Sequence, residues 1–313
     1  LQVFIIFKCN ITYFSLSRFD QLLTMKIIYL IVFFCTYWMC SFAQAVSENI
    51  RVEKDLVYKE INGWQGKLDF YIAVSKEKKP LIVYIHGGGW IHGKKEAEYD
   101  KFSVFLKNGF GVANIEYRLA GQAPAPAAIE DVYCALQYLV SHADQFGIDK
   151  KKIIIMGGSA GAHLALMLGL QSPAPVFTGN CSKEKISIAG IISKYGPTDL
   201  LHWDSVSKPG GIFAAWAGSR QQDTTFLKSL SPINYVYSKK IPVLFIHGDK
   251  DKTVPVEQSI ALYDKLKKNG NAVELYIVKD GGHGNFGNVQ TPLMDEKMIA
   301  FVVKCVNGSK FKP

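Results

Sequence analysis

Apolar positions along the chain fall into two alternating kinds of block. Leu81-Ile82-Val83-Tyr84-Ile85 is apolar throughout and too short for a helix, the pattern of a strand buried on both faces. Runs at 112–117, 152–156, 186–192, 241–246 and 272–278 repeat it. Between and after them lie helix-like stretches. Residues 127–142 place Ile129, Val132, Tyr133, Leu136 and Val140 on one helical face, and 160–170, 256–267 and 293–305 also read as helices. Two further runs, 52–59 and 67–74, flank Asn62-Gly63, a hairpin turn signal, and predict an antiparallel opening pair. Strands alternating with helices predict an α/β fold: a mostly parallel sheet of about eight strands with helices on both faces. No repeat or low-complexity linker interrupts the pattern. The stretch from Asp199 to Ser231 reads as one long irregular segment with Pro209-Gly210-Gly211 and two tryptophans, a length that in a compact domain points to function.

Composition narrows the class. With 313 residues, 48% hydrophobic and 20% charged, the chain excludes collagen-like, coiled-coil and disordered classes. It contains no apolar run long enough for a polytopic membrane protein. Near the start, Met25-Lys26 precedes an apolar stretch from Ile27 to Trp38 and then Ser41-Phe42-Ala43-Gln44-Ala45. A basic start, a short apolar core and an Ala-x-Ala site form a secretory signal. We therefore expect residues 1–24 to be an upstream extension, 25–45 a signal peptide cleaved after Ala45, and 46–313 the catalytic domain, secreted or periplasmic, with no stable membrane insertion after cleavage. Removing Lys8, Arg18, Lys26 and Asp20 takes the net charge from +9 to +7. The lysines are spread in small groups without interleaved aromatics, so no nucleic-acid partner is expected. Cys134, Cys181 and Cys305 remain, enough for one bridge at most, with the pairing open. No metal-ligand spacing occurs, and no cofactor is expected.

The candidate chemistry begins at Gly157-Gly158-Ser159-Ala160-Gly161, a Gly-x-Ser-x-Gly turn between an apolar strand and a helix-forming run. Small flanking residues let the chain turn sharply and lift the Ser159 hydroxyl above the sheet edge, over the free N–H groups of a helix N-terminus. His86-Gly87-Gly88-Gly89-Trp90 follows the strand 81–85. Glycines there leave backbone N–H groups uncrowded, as stabilising a tetrahedral oxyanion requires. His86 itself reads as a structural hydrogen-bonder. A serine nucleophile needs a base and an acid that orients it, in the order Ser, acid, His. Of the later histidines, His163 sits one turn along the Ser159 helix, His202 in the irregular stretch, and His247 at a strand end with no late acid before it. His283, in Asp280-Gly281-Gly282-His283-Gly284, is the best base. Asp249 and Asp251 both satisfy the spacing for the acid.

These residues resemble the α/β-hydrolase superfamily, in its esterase/lipase branch with a His-Gly-Gly-Gly-Trp oxyanion loop, close to bacterial acetyl-xylan/feruloyl-esterase-like carboxylesterases. The likeness runs from residue 68 to about 301 and includes Glu116-Tyr117-Arg118-Leu119, Pro126 through Asp131, Tyr195-Gly196-Pro197-Thr198-Asp199 and Ser231-Pro232. The family pattern His-Gly-x-x-Asp-x-x-Val-Pro implies Asp251 as the acid, His283 as the base, and Gly88, Gly89 and Ala160 as oxyanion donors. It implies a serine carboxylesterase for short-chain acyl or aryl esters, with acetyl or feruloyl esters on plant polysaccharide as the natural class. An arylformamidase or a peptidase-type hydrolase is the alternative, and a non-catalytic binding protein the least favoured. Only 40 residues separate Ala45 from His86, so no sizeable N-terminal cap is expected. The cover would be 199–231, with Trp203, Phe213 and Trp216 as walls. Trp90, Trp216 and Phe286 are the candidate substrate-binding residues.

Overall fold

The structure, a computed structural model, describes residues 49–172, 175–204, 210–236, 241–309 and 311. The expected leader over 1–45 and Pro209 lie outside the described residues. Eight strands form one sheet: β1 (Ile50–Ile61), β2 (Trp64–Ala73), β3 (Lys79–Ile85), β4 (Gly111–Ile115), β5 (Ile148–Gly158), β6 (Ile188–Lys194), β7 (Val243–Gly248) and β8 (Val273–Val278). Their order is β1-β2-β4-β3-β5-β6-β7-β8. β1 pairs with β2, and β2 with β4, antiparallel; every other pair is parallel. Asn62 and Gly63 both take positive φ in the opening hairpin, as a tight two-residue turn demands.

Side chains alternate across each strand, and the alternation sorts the core into two layers. Leu81, Val83, Ile85, Ile153 and Ile155 pack on one face, against helices Ala127–Ser141, Ala160–Leu170 and Glu257–Lys268. Ile82, Tyr84, Ile154, Met156 and Ile246 pack on the other, against helices Tyr99–Lys107 and Gly287–Val306. Every residue of Ala160–Leu170 is buried, so this helix is apolar all round rather than amphipathic. Its N-terminus stands at the C-terminal edge of the central strands, where an open α/β sheet holds its ligands.

One helix is new and two expectations are corrected. Helix Tyr99–Lys107, with Phe102, Phe105 and Leu106 inward, was not anticipated, although its i, i+3, i+4 spacing is in the sequence. The final helix begins at Gly287 and runs through Pro292 rather than starting after it. Residues 199–231 are not one loop: helices Ile212–Ala217 and Thr224–Ser229 lie within them, the second capped by Asp223 accepting the Phe226 N–H. Cys134 pairs with Cys181, their Cα atoms 5.4 Å apart, which ties helix Ala127–Ser141 to the segment before β6; Cys305 is free.

Candidate active site

Ser159 follows β5 and occupies the N-cap position of helix Ala160–Leu170 with φ 54° and ψ −121°, a conformation L-residues avoid and that stores roughly 1–3 kcal/mol. Two features hold it. Ser159 N–H donates to the Lys194 carbonyl of β6 at 2.9 Å. Helix and sheet also come together at Gly161, where a Cβ would strike the Ile85 carbonyl, so the motif's small residues are required by close approach. The turn aims the Ser159 hydroxyl into a cavity of about 610 Å³.

His283 follows β8 and meets Ser159 across 124 residues of sequence: Ser159 Oγ lies 2.8 Å from Nε2. On the far side of the ring, Nδ1 donates to Asp251 Oδ2 at 2.7 Å. That bond leaves Nε2 as the acceptor facing Ser159. Asp251 follows β7 and its side chain is fully buried. Burial alone would raise its pKa, but His247, His283 and the Val254 N–H outweigh it and hold the carboxyl well below the usual carboxylate range. Its other oxygen accepts the N–H groups of Thr253 and Val254 at 2.8 and 2.9 Å. Asp249, the other candidate by spacing, is exposed.

The other histidines weighed in the sequence, His247, His163, His202 and His86, have other partners. His247 is buried, bonded through Nδ1 to Ser259 Oγ and through Nε2 to the Val254 carbonyl, and lies 3.3 Å from Asp251. His163 donates from Nε2 to the Leu230 carbonyl at 2.7 Å, and burial lowers its pKa to about 4. His202 pairs with Asp199 at the surface. His86 stacks on Tyr117 and bonds the Gly87 carbonyl; burial lowers its pKa too.

Gly88 and Gly89 face Ser159 and Ala160 across the cavity. Gly88 has φ +107°, and a Cβ there would run into the His92 carbonyl. Only glycine fits. Among the described residues the N–H groups of Gly88 and Gly89 donate no hydrogen bond, which leaves them open toward the cavity. The loop is anchored just beyond by Lys95, whose buried ammonium bonds Asp69 at 2.8 Å, Glu96 at 2.9 Å and Asp55 at 3.0 Å.

The substrate-wall expectations divide. Trp90, Trp203 and Phe213 line the cavity; Trp216 and Phe286 do not. Trp216 is fully buried because it stacks flat on Trp90 at 4.3 Å, so it backs the wall instead of forming it. Phe286 packs edge-on against Tyr195 in the opposite core layer. Tyr84, Glu98, Lys101, Tyr195 and Ile212 also line the cavity, and none was a candidate site residue in the sequence. Of these only Tyr195 lies in a sequence motif, and four distant segments bring the five together.

A buried carboxylate, an imidazole and a hydroxyl joined in one hydrogen-bonded line at the C-terminal edge of this sheet define an α/β-hydrolase-fold serine hydrolase. The chain belongs to the BD-FAE family, whose pattern matches residues 68–266. Among sequence relatives, it is 30% identical to Esterase LipQ of Mycobacterium tuberculosis, over 72% of this chain and 54% of that one. The chain spans about half the length of that relative and of Esterase LipC from the same organism, to which it is 28% identical over 66% of this chain and 53% of that one. A truncated form of a carbohydrate esterase from gut microbiota superposes with a TM-score of 0.73 at 25% identity, over 83% of this chain and 99% of that one. Thermogutta terrifontis esterase 2 phosphoramylated by tabun gives 0.68 at 25% identity, over 81% and 94%.

Proposed function

We propose that the protein is an exported serine carboxylesterase that cleaves short-chain acyl or aryl esters through an acyl-enzyme, with acetyl or feruloyl esters on plant polysaccharide as its natural substrates. The observation that carries this reading is the unbroken line Asp251–His283–Ser159, opposite a glycine loop with free N–H groups. Ser159 Oγ attacks the ester carbonyl as its proton passes to His283 Nε2. Asp251, held ionised, stabilises the imidazolium and fixes its tautomer. The N–H groups of Gly88, Gly89 and Ala160 receive the oxyanion, each worth about 2.7–4 kcal/mol of barrier. His283 returns the proton to the departing alcohol, then activates the water that frees the acid.

Three features support the rest. No cap is built between residue 49 and His86, where β1, β2 and β3 take up the chain, so an ester on a bulky polymer has access. The esterase and carbohydrate-esterase relatives agree with an ester on a sugar. Export fits the leader pattern before residue 46 and the Cys134–Cys181 bridge, which persists in an oxidising compartment.

The test compares the protein with its Ser159→Ala variant on p-nitrophenyl acetate, butyrate and dodecanoate, methyl ferulate and acetylated xylan. Turnover of the short esters that disappears in Ser159→Ala, with an unchanged circular dichroism spectrum, is expected. Full activity in that variant would sink the assignment. A folded protein with no ester turnover would shift it to amide substrates.

A further inference from the structure

The cavity has a charged wall that the Ser159–His283–Asp251 line does not use. Trp90, Trp203, Phe213 and Val254 make one wall apolar, and all belong to the core layer on one face of the sheet. Tyr84 rises from the other face. With Glu98, Lys101 and Tyr195 it makes the opposite wall polar. Tyr84 O–H donates to Glu98 Oε2 at 2.7 Å, which holds the carboxylate in place. Among the described residues, Glu98 Oε1 and Lys101 Nζ make no side-chain hydrogen bond or ion pair, with each other or with anything else. A held acceptor and an ammonium donor, three residues apart on one helical turn, thus face the cavity with bonding capacity to spare. Lys194 stands behind them, 5% exposed, with no ion-pair partner among the described residues and its Nζ 6.0 Å from the Tyr195 ring centre.

Chemistry sets which half of an ester meets that wall. The leaving oxygen takes its proton from His283 Nε2, so the alcohol departs on the imidazole's side of Ser159. Tyr195 packs edge-on against that imidazole at 4.9 Å and is itself part of the polar wall. The acyl group, across the carbonyl, then faces the apolar wall, where Ile212 closes against Gly89.

We infer that Glu98 and Lys101 bind the alcohol half of the ester and select alcohols with adjacent free hydroxyls, as on a sugar ring. A vicinal diol donates to Glu98 Oε1 and accepts from Lys101 Nζ at once; an aryl alcohol does neither. This assignment rests on the serine-esterase reading and adds to it the residues that discriminate.

The experiment measures kcat/KM on two acetates that share an acyl group, p-nitrophenyl acetate and a xylo-oligosaccharide acetylated at O2 of its non-reducing-end residue, which keeps the adjacent O3 and O4 hydroxyls free, for the full chain and for Glu98→Ala and Lys101→Ala. Loss of a charged hydrogen bond to a hydroxyl should cost the sugar acetate about tenfold more than the aryl acetate, mostly in KM. Lys101→Arg should recover most of the discrimination. Glu98→Gln and Lys101→Met keep the shape and carry the test if the alanine variants fail to fold. Equal losses on both esters, or no loss on either, would overturn the inference. So would an unmodified protein that cleaves the aryl acetate and ignores the sugar acetate. An unmodified protein inactive on both would instead overturn the esterase reading beneath it.

Discussion

Asp251 shows how much one side chain is asked to do. It accepts from His283, from two backbone N–H groups and, at longer range, from His247, so its carboxylate is ionised well below neutral pH. Neutralising it leaves the geometry but removes the charge that fixes the His283 tautomer. Asp251→Asn should therefore lower kcat on p-nitrophenyl acetate by roughly 10⁴-fold, with little change in KM. Asp249, two residues earlier and exposed, should tolerate the same change with activity within about twofold. Parallel kinetics on the two variants decide it, and an inactive Asp249→Asn with an active Asp251→Asn would reverse the assignment. Both aspartates satisfy the local spacing. What separates them is that the Asp251 side chain turns inward over Val254, a matter of backbone path and not of residue type.

At the scale of elements, the helix Ala160–Leu170 carries the nucleophile and is pinned at its first turn by His163 to the carbonyl of Leu230. The imidazole is neutral in the fold because burial lowers its pKa from 6.5 to about 4. Between those pH values the unfolded chain holds a proton that the folded chain lacks, so stability is intact above pH 6.5 and falls as pH drops toward 4. The expected loss from this group is on the order of 3 kcal/mol. Urea denaturation at pH 7, 5 and 4 should show that slope, and His163→Gln should flatten it; an equal slope in the variant would rule His163 out as its source. The sequence placed this helix between its observed ends and His163 one turn along it. It did not reveal the partner, because Leu230 lies 67 residues away. The helix Tyr99–Lys107 went unread, and with it Glu98 and Lys101: a nine-residue helix between two strands gives only about two and a half turns of periodicity.

For the molecule as a whole, the sheet supplies most of the cohesion and the Cys134–Cys181 bridge adds a covalent tie over 47 residues. A loop of that length restricts the unfolded chain enough to be worth roughly 2–4 kcal/mol. A reducing agent, or Cys134→Ser, should lower the thermal midpoint by several degrees while leaving the rate on p-nitrophenyl acetate at low temperature nearly unchanged, since neither cysteine lines the cavity. No shift in the midpoint would mean that the bridge contributes nothing to the fold. Expression in a reducing cytosol and in an oxidising compartment, compared by free-thiol titration, also tests the proposed export.

The order of strands and helices, the sharp serine turn and the glycine loop were legible in the sequence because each is a local matter: periodicity, turn chemistry and the space a side chain needs are set by neighbours a few residues away. His283 was legible by elimination, and Asp251 by resemblance. The folded structure alone decided which tryptophans meet the cavity, that Cys134 and Cys181 are partners, and that Tyr84, Glu98, Lys101 and Tyr195 share a wall. Those are contacts between segments tens of residues apart. Their distances depend on how helices on two faces of a twisted sheet settle around a close-packed core, which no short window of sequence contains.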